Sequence, residues 1–154
     1  MKICLACTHG GHLVQMMRLL DAFEGHDYFF VTYKSEATKN FKNAYFLKFE
    51  EKGLKAKIML KIMLVKTIIK AVKILIKEKP DVIISTGGGD IAVPFCYIGK
   101  VFGAKVIFIE SLSRITTASA GGRFVYPIAD LFLVQWESLL EKYGSKAKYW
   151  GKVI

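Results

Sequence analysis

Arginine is scarce in this chain of 154 residues. Only Arg18, Arg114 and Arg123 stand among 23 basic side chains, whereas a surface made for nucleic acid favours the planar guanidinium that grips phosphates and base edges bidentately. The composition argues against a nucleic-acid partner and leaves room for diffuse attraction to an anionic surface. Cysteine is sparse too. Cys4, Cys7 and Cys96 form an odd set, which speaks against a disulfide framework and for a reducing compartment. Long uncharged runs are missing. The longest stretch free of Asp, Glu, Lys and Arg is Ile3–Met17, interrupted by glycines and histidines, and a bilayer span needs about 20 mostly apolar residues. Met1-Lys2 leads directly into an apolar run and a glycine turn, without the basic region and cleavage site of a signal peptide. The expectation is a cytoplasmic chain without a transmembrane helix or signal peptide.

What is present is a basic excess, +10 net, and it is uneven. Residues 1–77 carry 14 basic and 6 acidic groups, and residues 78–154 carry 9 and 7. The apolar pattern also changes period along the chain. Lys2–Cys7 reads as a strand ended by Thr8-His9-Gly10-Gly11, and His12–Phe23 as a helix with Leu13, Met16, Met17, Leu20 and Phe23 on one side. Tyr28–Tyr33 is a second strand and Ala44–Phe49 a weaker third. Leu54–Lys77 is a long helix that stops before Pro80; Asp81–Ser85 is a strand closed by Thr86 and three glycines, followed by a helix at Asp90–Phe102. Lys105–Glu110 and Asp130–Val134 are further strands, Ser111–Gly122 is polar and irregular, and Trp136–Tyr143 is a short helix. Near-continuous apolar strands alternating with helices predict one α/β domain, a Rossmann-like doubly wound parallel sheet. The loops after its strands gather on one edge, where ligands bind. Thr8–His12, Thr86–Asp90, Glu110–Arg114 and Gln135–Ser138 are those loops, so one shared crevice is expected.

Each loop carries its own chemistry. Thr8, Gly10 and Gly11 present backbone N–H groups at a helix start, which suits a phosphate or diphosphate. His12, an imidazole in the first turn of the helix, is a candidate general base for a sugar hydroxyl, with a tight turn capped by histidine as the plainer alternative. Gly87, Gly88, Gly89 and Asp90 would let a ligand or a partner chain approach closely. Gly87–Ala92 also fits the G-x-G-x-x-A dinucleotide fingerprint, with Glu110 about 20 residues on, so an NAD- or FAD-binding module is the alternative. Against it stand the fingerprint's usual place in the first βα unit and the like charge of Asp90 toward a pyrophosphate. Glu110, Ser111, Ser113 and Arg114 put a carboxylate, two hydroxyls and a guanidinium at a strand end; Glu110 is either a second base candidate or the partner of Arg114. Gln135 and Trp136 add an amide and an indole. Cys4 and Cys7 lie three apart on a strand and face opposite sides of it, so no metal site is expected and both read as small buried apolar groups.

The helix Leu54–Lys77 contains seven lysines and no acid. At 100° per residue Lys55, Lys66, Lys70, Lys73 and Lys77 fall within about 60° of one another. Most of the remaining circumference is apolar, more than one sheet-facing stripe requires. A surplus apolar arc beside a lysine ridge is the pattern of a helix at an anionic membrane surface. The alternative is a covering helix with a solvated ridge.

Taken in order, Gly10-Gly11-His12 with Leu13-Val14-Gln15-Met16, Ser85-Thr86-Gly87-Gly88-Gly89, Glu110-Ser111-Leu112-Ser113-Arg114, Tyr126-Pro127-Ile128-Ala129-Asp130, Val134-Gln135-Trp136 and Tyr149-Trp150-Gly151 resemble the asparagine-linked-glycosylation protein fourteen family and its bacterial polysaccharide-biosynthesis counterparts. The resemblance covers essentially the whole chain. It implies the N-terminal half of a GT-B glycosyltransferase over residues 1–154, split off as a separate polypeptide and inactive alone. It implies, further, that the chain holds a polyprenyl-diphosphate-linked acceptor at the cytoplasmic face of the membrane as a peripheral subunit. A donor-binding partner subunit would supply the UDP-sugar, with N-acetylglucosamine or another hexose the expected sugar and no cofactor of its own. Gly10, Gly11 and His12 would then line the acceptor, with His12 or Glu110 as base and Arg114 as charge partner.

Overall fold

A computed structural model describes residues 1–48 and 56–154. Its centre is a seven-stranded sheet, parallel throughout, of β1 (Lys2–Cys7), β2 (Asp27–Tyr33), β3 (Ala44–Leu47), β4 (Val82–Gly87), β5 (Lys105–Ile109), β6 (Leu131–Val134) and β7 (Ala147–Tyr149). The spatial order is β3-β2-β1-β4-β5-β6-β7. The order reverses between β1 and β4, the switch point where such sheets open a crevice beyond their strand ends. Here β4 carries one more residue than β1, since Leu5 pairs with Ile84 but Cys7 with Gly87. The extra residue makes the strand irregular at that end of the sheet.

Strand alternation divides the core in two. Cys4, Ala6, Phe29, Val31, Ile83, Val106, Phe108 and Phe132 face one side, where α2 (Ala56–Glu78), α3 (Gly89–Val101), α4 (Ala120–Val125) and α5 (Leu140–Tyr143) cover them. Ile3, Leu5, Cys7, Phe30, Ile84 and Ile109 face the other, under α1 (Gly11–Met17) and a 3-10 turn at Leu20–Phe23. Phe95, Phe108 and Phe132 are fully buried, each contributing about 1.5–3 kcal/mol through removal from water.

Several expected boundaries shift. The first helix ends at Met17 and restarts as the 3-10 turn; β4 runs on through Thr86 to Gly87. Residues 111–122 are not wholly irregular, because Ser119 caps α4 by accepting the Gly122 N–H at 2.8 Å. β7, three residues long, was too short to show a period. The expected helix start at Leu54, the strand end at Phe49 and Lys55 lie outside the described residues.

Candidate functional site

The start of α1 and the end of β4 are locked together by a reciprocal pair of hydrogen bonds. Thr86 Oγ1 donates to the His12 carbonyl at 2.7 Å, and His12 Nδ1 lies 2.7 Å from the Thr86 carbonyl. A carbonyl only accepts, so Nδ1 donates, and in the neutral tautomer that this bond selects the Nε2 lone pair is left to accept another hydrogen bond. The ring is half-buried at the switch point. The glycines after Thr86 make this possible. A Cβ on Gly87 would meet the His12 ring and one on Gly88 would meet Thr8, and both residues hold positive φ, +116° and +84°. Gly89 faces Gly121 where α3 and α4 cross, its Cβ position 3.4 Å from the Gly121 Cα. The space that the missing side chains leave is taken up by His12, Thr8 and Gly121, so these glycines are needed for packing within the chain itself.

Asp90, in the first turn of α3, accepts from the Tyr33 hydroxyl at the end of β2. Burial, then the Asp90 hydrogen bond, pushes the Tyr33 phenol well above its ordinary range. His9 meets the Tyr33 ring edge-on at 5.6 Å. Asp90 is thus committed to its own fold on at least one oxygen.

Glu110 lies 1% exposed at the end of β5. Its Oε1 accepts the Ser111 N–H at 2.8 Å, and its Oε2 accepts the Ser119 N–H at 3.1 Å, the Ser119 hydroxyl at 2.8 Å and the Tyr143 hydroxyl. Burial and this bond push the Tyr143 phenol upward. Among the described residues Glu110 makes no ion pair with Arg114, whose side chain is exposed. The expected Glu110–Arg114 pair is absent because Arg114 sits beyond a turn closed by its own N–H on the Ser111 carbonyl, 2.9 Å. A carboxylate with four donors and no exposed face is built to hold the 111–119 loop. Ser111 and Ser113 join their hydroxyls at 2.9 Å on that loop.

Gln135 is also 1% exposed and occupied: its Nε2 donates to Gln15 Oε1 at 2.6 Å and to the Glu110 carbonyl at 2.7 Å, while its Oε1 accepts the Val153 N–H at 2.8 Å. It therefore offers no amide to a ligand or partner. Trp136 donates its indole N–H to the Leu112 carbonyl at 2.7 Å, and Lys152 lies over its ring at 3.6 Å. Cys4 and Cys7 fall in the two opposite core layers. Burial pushes the Cys7 and Cys96 thiols up to about 12, which keeps them protonated and unreactive.

A family described as "Oligosaccharide biosynthesis protein Alg14 like" matches residues 3–153. The chain belongs to the Alg14 family. The UDP-N-acetylglucosamine transferase subunit ALG14 of Candida albicans is 42% identical over 86 residues, 52% of this chain and 38% of that protein. Its human namesake is 32% identical over 84 residues, 51% of this chain and 38% of that one. The chain thus spans about two-fifths of the length of these curated Alg14 relatives. Among solved structures, Acinetobacter baumannii MurG superposes with a TM-score of 0.77 at 12% identity, over 98% of this chain and 45% of MurG. The UDP-GlcNAc 2-epimerase of Methanocaldococcus jannaschii gives 0.72 at 17%, over 99% and 46%. The fold is that of half a GT-B protein, and membership of the Alg14 family does not favour the dinucleotide alternative.

Four residues that matter to this Alg14-family site carry no functional assignment from the sequence. Gln15 and Tyr143 sit inside helices without a local polar signature. Ser119 before Ala120 is a cap signal masked by Gly121-Gly122. Tyr33 closes β2 at the ligand-bearing edge, and its place at that edge was the available clue.

Proposed function

We propose that this chain is the acceptor-binding, membrane-recruiting subunit of a two-chain glycosyltransferase. It would move N-acetylglucosamine from a UDP-sugar, bound mainly by a partner subunit, to a sugar linked to a polyprenyl diphosphate in oligosaccharide or exopolysaccharide synthesis. The observation that carries this reading is the His12 ring, fixed as the Nδ1–H form by the Thr86 carbonyl at the switch point. In the transfer the acceptor hydroxyl gives its proton to Nε2 of His12 as its oxygen attacks the anomeric carbon of the donor, and the bond from that carbon to UDP breaks. A base so placed contributes about 10²–10⁴-fold. Thr8, Gly10 and Gly11 after β1 and Ser111, Ser113 and Arg114 after β5 would supply the donors and charge for the acceptor diphosphate. α1 has only seven residues, so side chains and turn N–H groups carry more of that task than its dipole.

Membrane contact is read from α2. Ala71, Ile74, Leu75 and Thr67 form its buried arc, while Lys66, Lys70, Lys73 and Lys77 form an exposed ridge toward β3, where Lys77 lies over the Tyr45 ring at 5.3 Å. A third arc of Ile62, Val65, Ile69 and Ile76 is apolar and exposed. It continues past Phe102 on the α3 side to Val101, Tyr97 and Phe124. Contiguous apolar surface bordered by lysines supports peripheral seating on an anionic leaflet. No helix among the described residues is long and apolar enough to cross a membrane.

The test is reconstitution. The chain and the protein that co-purifies with it from the native host are assayed together and apart with radiolabelled UDP-N-acetylglucosamine and a phytanyl-diphosphate-linked N-acetylglucosamine acceptor. Transfer by the pair and by neither chain alone is expected. Transfer by this chain alone overturns the half-site reading, and a pair that transfers nothing overturns the function.

A further inference from the structure

Two glutamines join the His12 helix to the loop that carries Ser111, Ser113 and Arg114. Gln15 lies one turn beyond Gly11 on α1, and its Nε2 donates to the Gly11 carbonyl at 3.3 Å. Its Oε1 accepts the Leu112 N–H at 3.1 Å and the Gln135 Nε2 at 2.6 Å. Gln135, at the end of β6, in turn holds the Glu110 carbonyl at 2.7 Å. Both amides are buried, 7% and 1% exposed. The glycine turn, the His12 helix and the first residues of the loop after β5 therefore share one continuous set of hydrogen bonds away from water. Leu112 closes it outward, because its carbonyl accepts the Trp136 indole.

Such an arrangement is demanding. Each buried amide group left without its partner costs about 1–3 kcal/mol, so the two loops cannot slide past each other without breaking bonds that water does not replace. Apolar residues of the same shape would leave the Leu112 and Val153 N–H groups and the Glu110 carbonyl without these partners. What polar groups add is a fixed register between two loops. We propose that Gln15 and Gln135 are positioning residues that set the Ser111–Arg114 loop at a fixed distance from the His12 imidazole, so that the acceptor held by one loop meets the base carried by the other. This rests on the function proposed above. A small misplacement at a reacting centre costs as much as 10²-fold in rate, which gives the register its value.

Gln15→Met keeps the length of the side chain and removes the acceptor; Gln15→Glu keeps an acceptor oxygen for both donors. Each is made in a Trp150→Phe background, in which Trp136 is the remaining tryptophan. In the isolated chain, hydrogen exchange of residues 111–118 and Trp136 emission report the loop. In the reconstituted pair, kcat, KM for the acceptor and the pH profile report the reaction. Gln15→Met is expected to speed exchange of 111–118, shift Trp136 emission and lower kcat by about 10-fold or more, with the pH profile unmoved because His12 is intact. Gln15→Glu is expected to recover most of both. Exchange and emission equal to the parent chain overturn the clamp, and a lower melting temperature with kcat unchanged overturns its role in the reaction. Should Gln15→Met fail to fold, Gln135→Met replaces it with the same readouts. A parent pair without any transfer defeats the proposed function, and the exchange arm then decides the clamp by itself.

Discussion

Gly87 lies so close to His12 that a Cβ on it would sit 2.6 Å from the ring Cε1 and 2.7 Å from Nδ1. The ring cannot retreat, since Nδ1 is tied to the carbonyl of the residue just before Gly87. Gly87→Ala is therefore expected to cost stability through the φ of +116°, about 1–3 kcal/mol, and to abolish transfer as thoroughly as loss of the imidazole. Chemical denaturation and kcat of the reconstituted pair check this; a Gly87→Ala pair with parental kcat would mean that the ring's placement is irrelevant.

His12→Ala and Glu110→Gln separate the two carriers of proton chemistry first considered. His12→Ala should fold, because the ring is half-buried and makes one hydrogen bond, yet lose about 10²-fold or more in kcat. Glu110→Gln replaces an acceptor of four donors by an amide that clashes with some of them, so its main effect should be on stability, about 1–3 kcal/mol, and on exchange near Ser119. A Glu110→Gln pair with native stability and a collapsed kcat would restore Glu110 as the base.

The parallel sheet and its ligand edge were legible because apolar β-branched runs and glycine turns are local signals. The pairing of loops across that edge was not. Thr86 reaching the His12 carbonyl spans 74 positions of sequence, and Gln135 reaching Gln15 spans 120; no periodicity records either. Gly121 and Gly122 misled for a related reason. They read as loop residues on propensity, but they are small because α3 and the Glu110–Tyr143 bond press against α4. Glu110 looked chemical from its strand-end position, and only its burial shows that its hydrogen bonds are spent on the fold.

Acid should loosen the sheet at Asp130. Burial disfavours its charge, but hydrogen bonds from Lys100 Nζ and the Val106 N–H, with the charges of Lys100 and Lys105, outweigh that and hold its carboxyl below the ordinary value. A carboxyl lowered by folding stabilises above its unfolded value and loses that contribution as pH falls through its folded one. Melting temperatures of the parent and Asp130→Asn should thus differ above about pH 4 and converge below it. Parallel curves down to pH 2 would remove Asp130 from the acid response.

Membrane seating by α2 needs both of its outward arcs. The lysine ridge alone attracts only within a Debye length, about 10 Å at 0.1 M salt, and the apolar arc alone has no reason to prefer a leaflet over another protein. Each lysine near anionic headgroups contributes about 1 kcal/mol. Reversing Lys66, Lys70 and Lys73 to Glu therefore removes about 3 kcal/mol and adds repulsion, which predicts at least about 10²-fold weaker partition onto vesicles containing phosphatidylglycerol. Val65→Gln with Ile69→Gln, at positions 54% and 50% exposed, should leave the fold intact. It should also make the remaining binding purely salt-sensitive, because the charges persist while the apolar insertion is lost. The two variants are distinguished by 0.5 M salt: it should release the glutamine variant completely and the parent only in part. In the reconstituted pair both should lower transfer to long-chain acceptors more than to short soluble ones. Sedimentation of the triple glutamate variant with vesicles at the parental level would make α2 a covering helix with a solvated ridge, and membrane contact would then have to come from another surface.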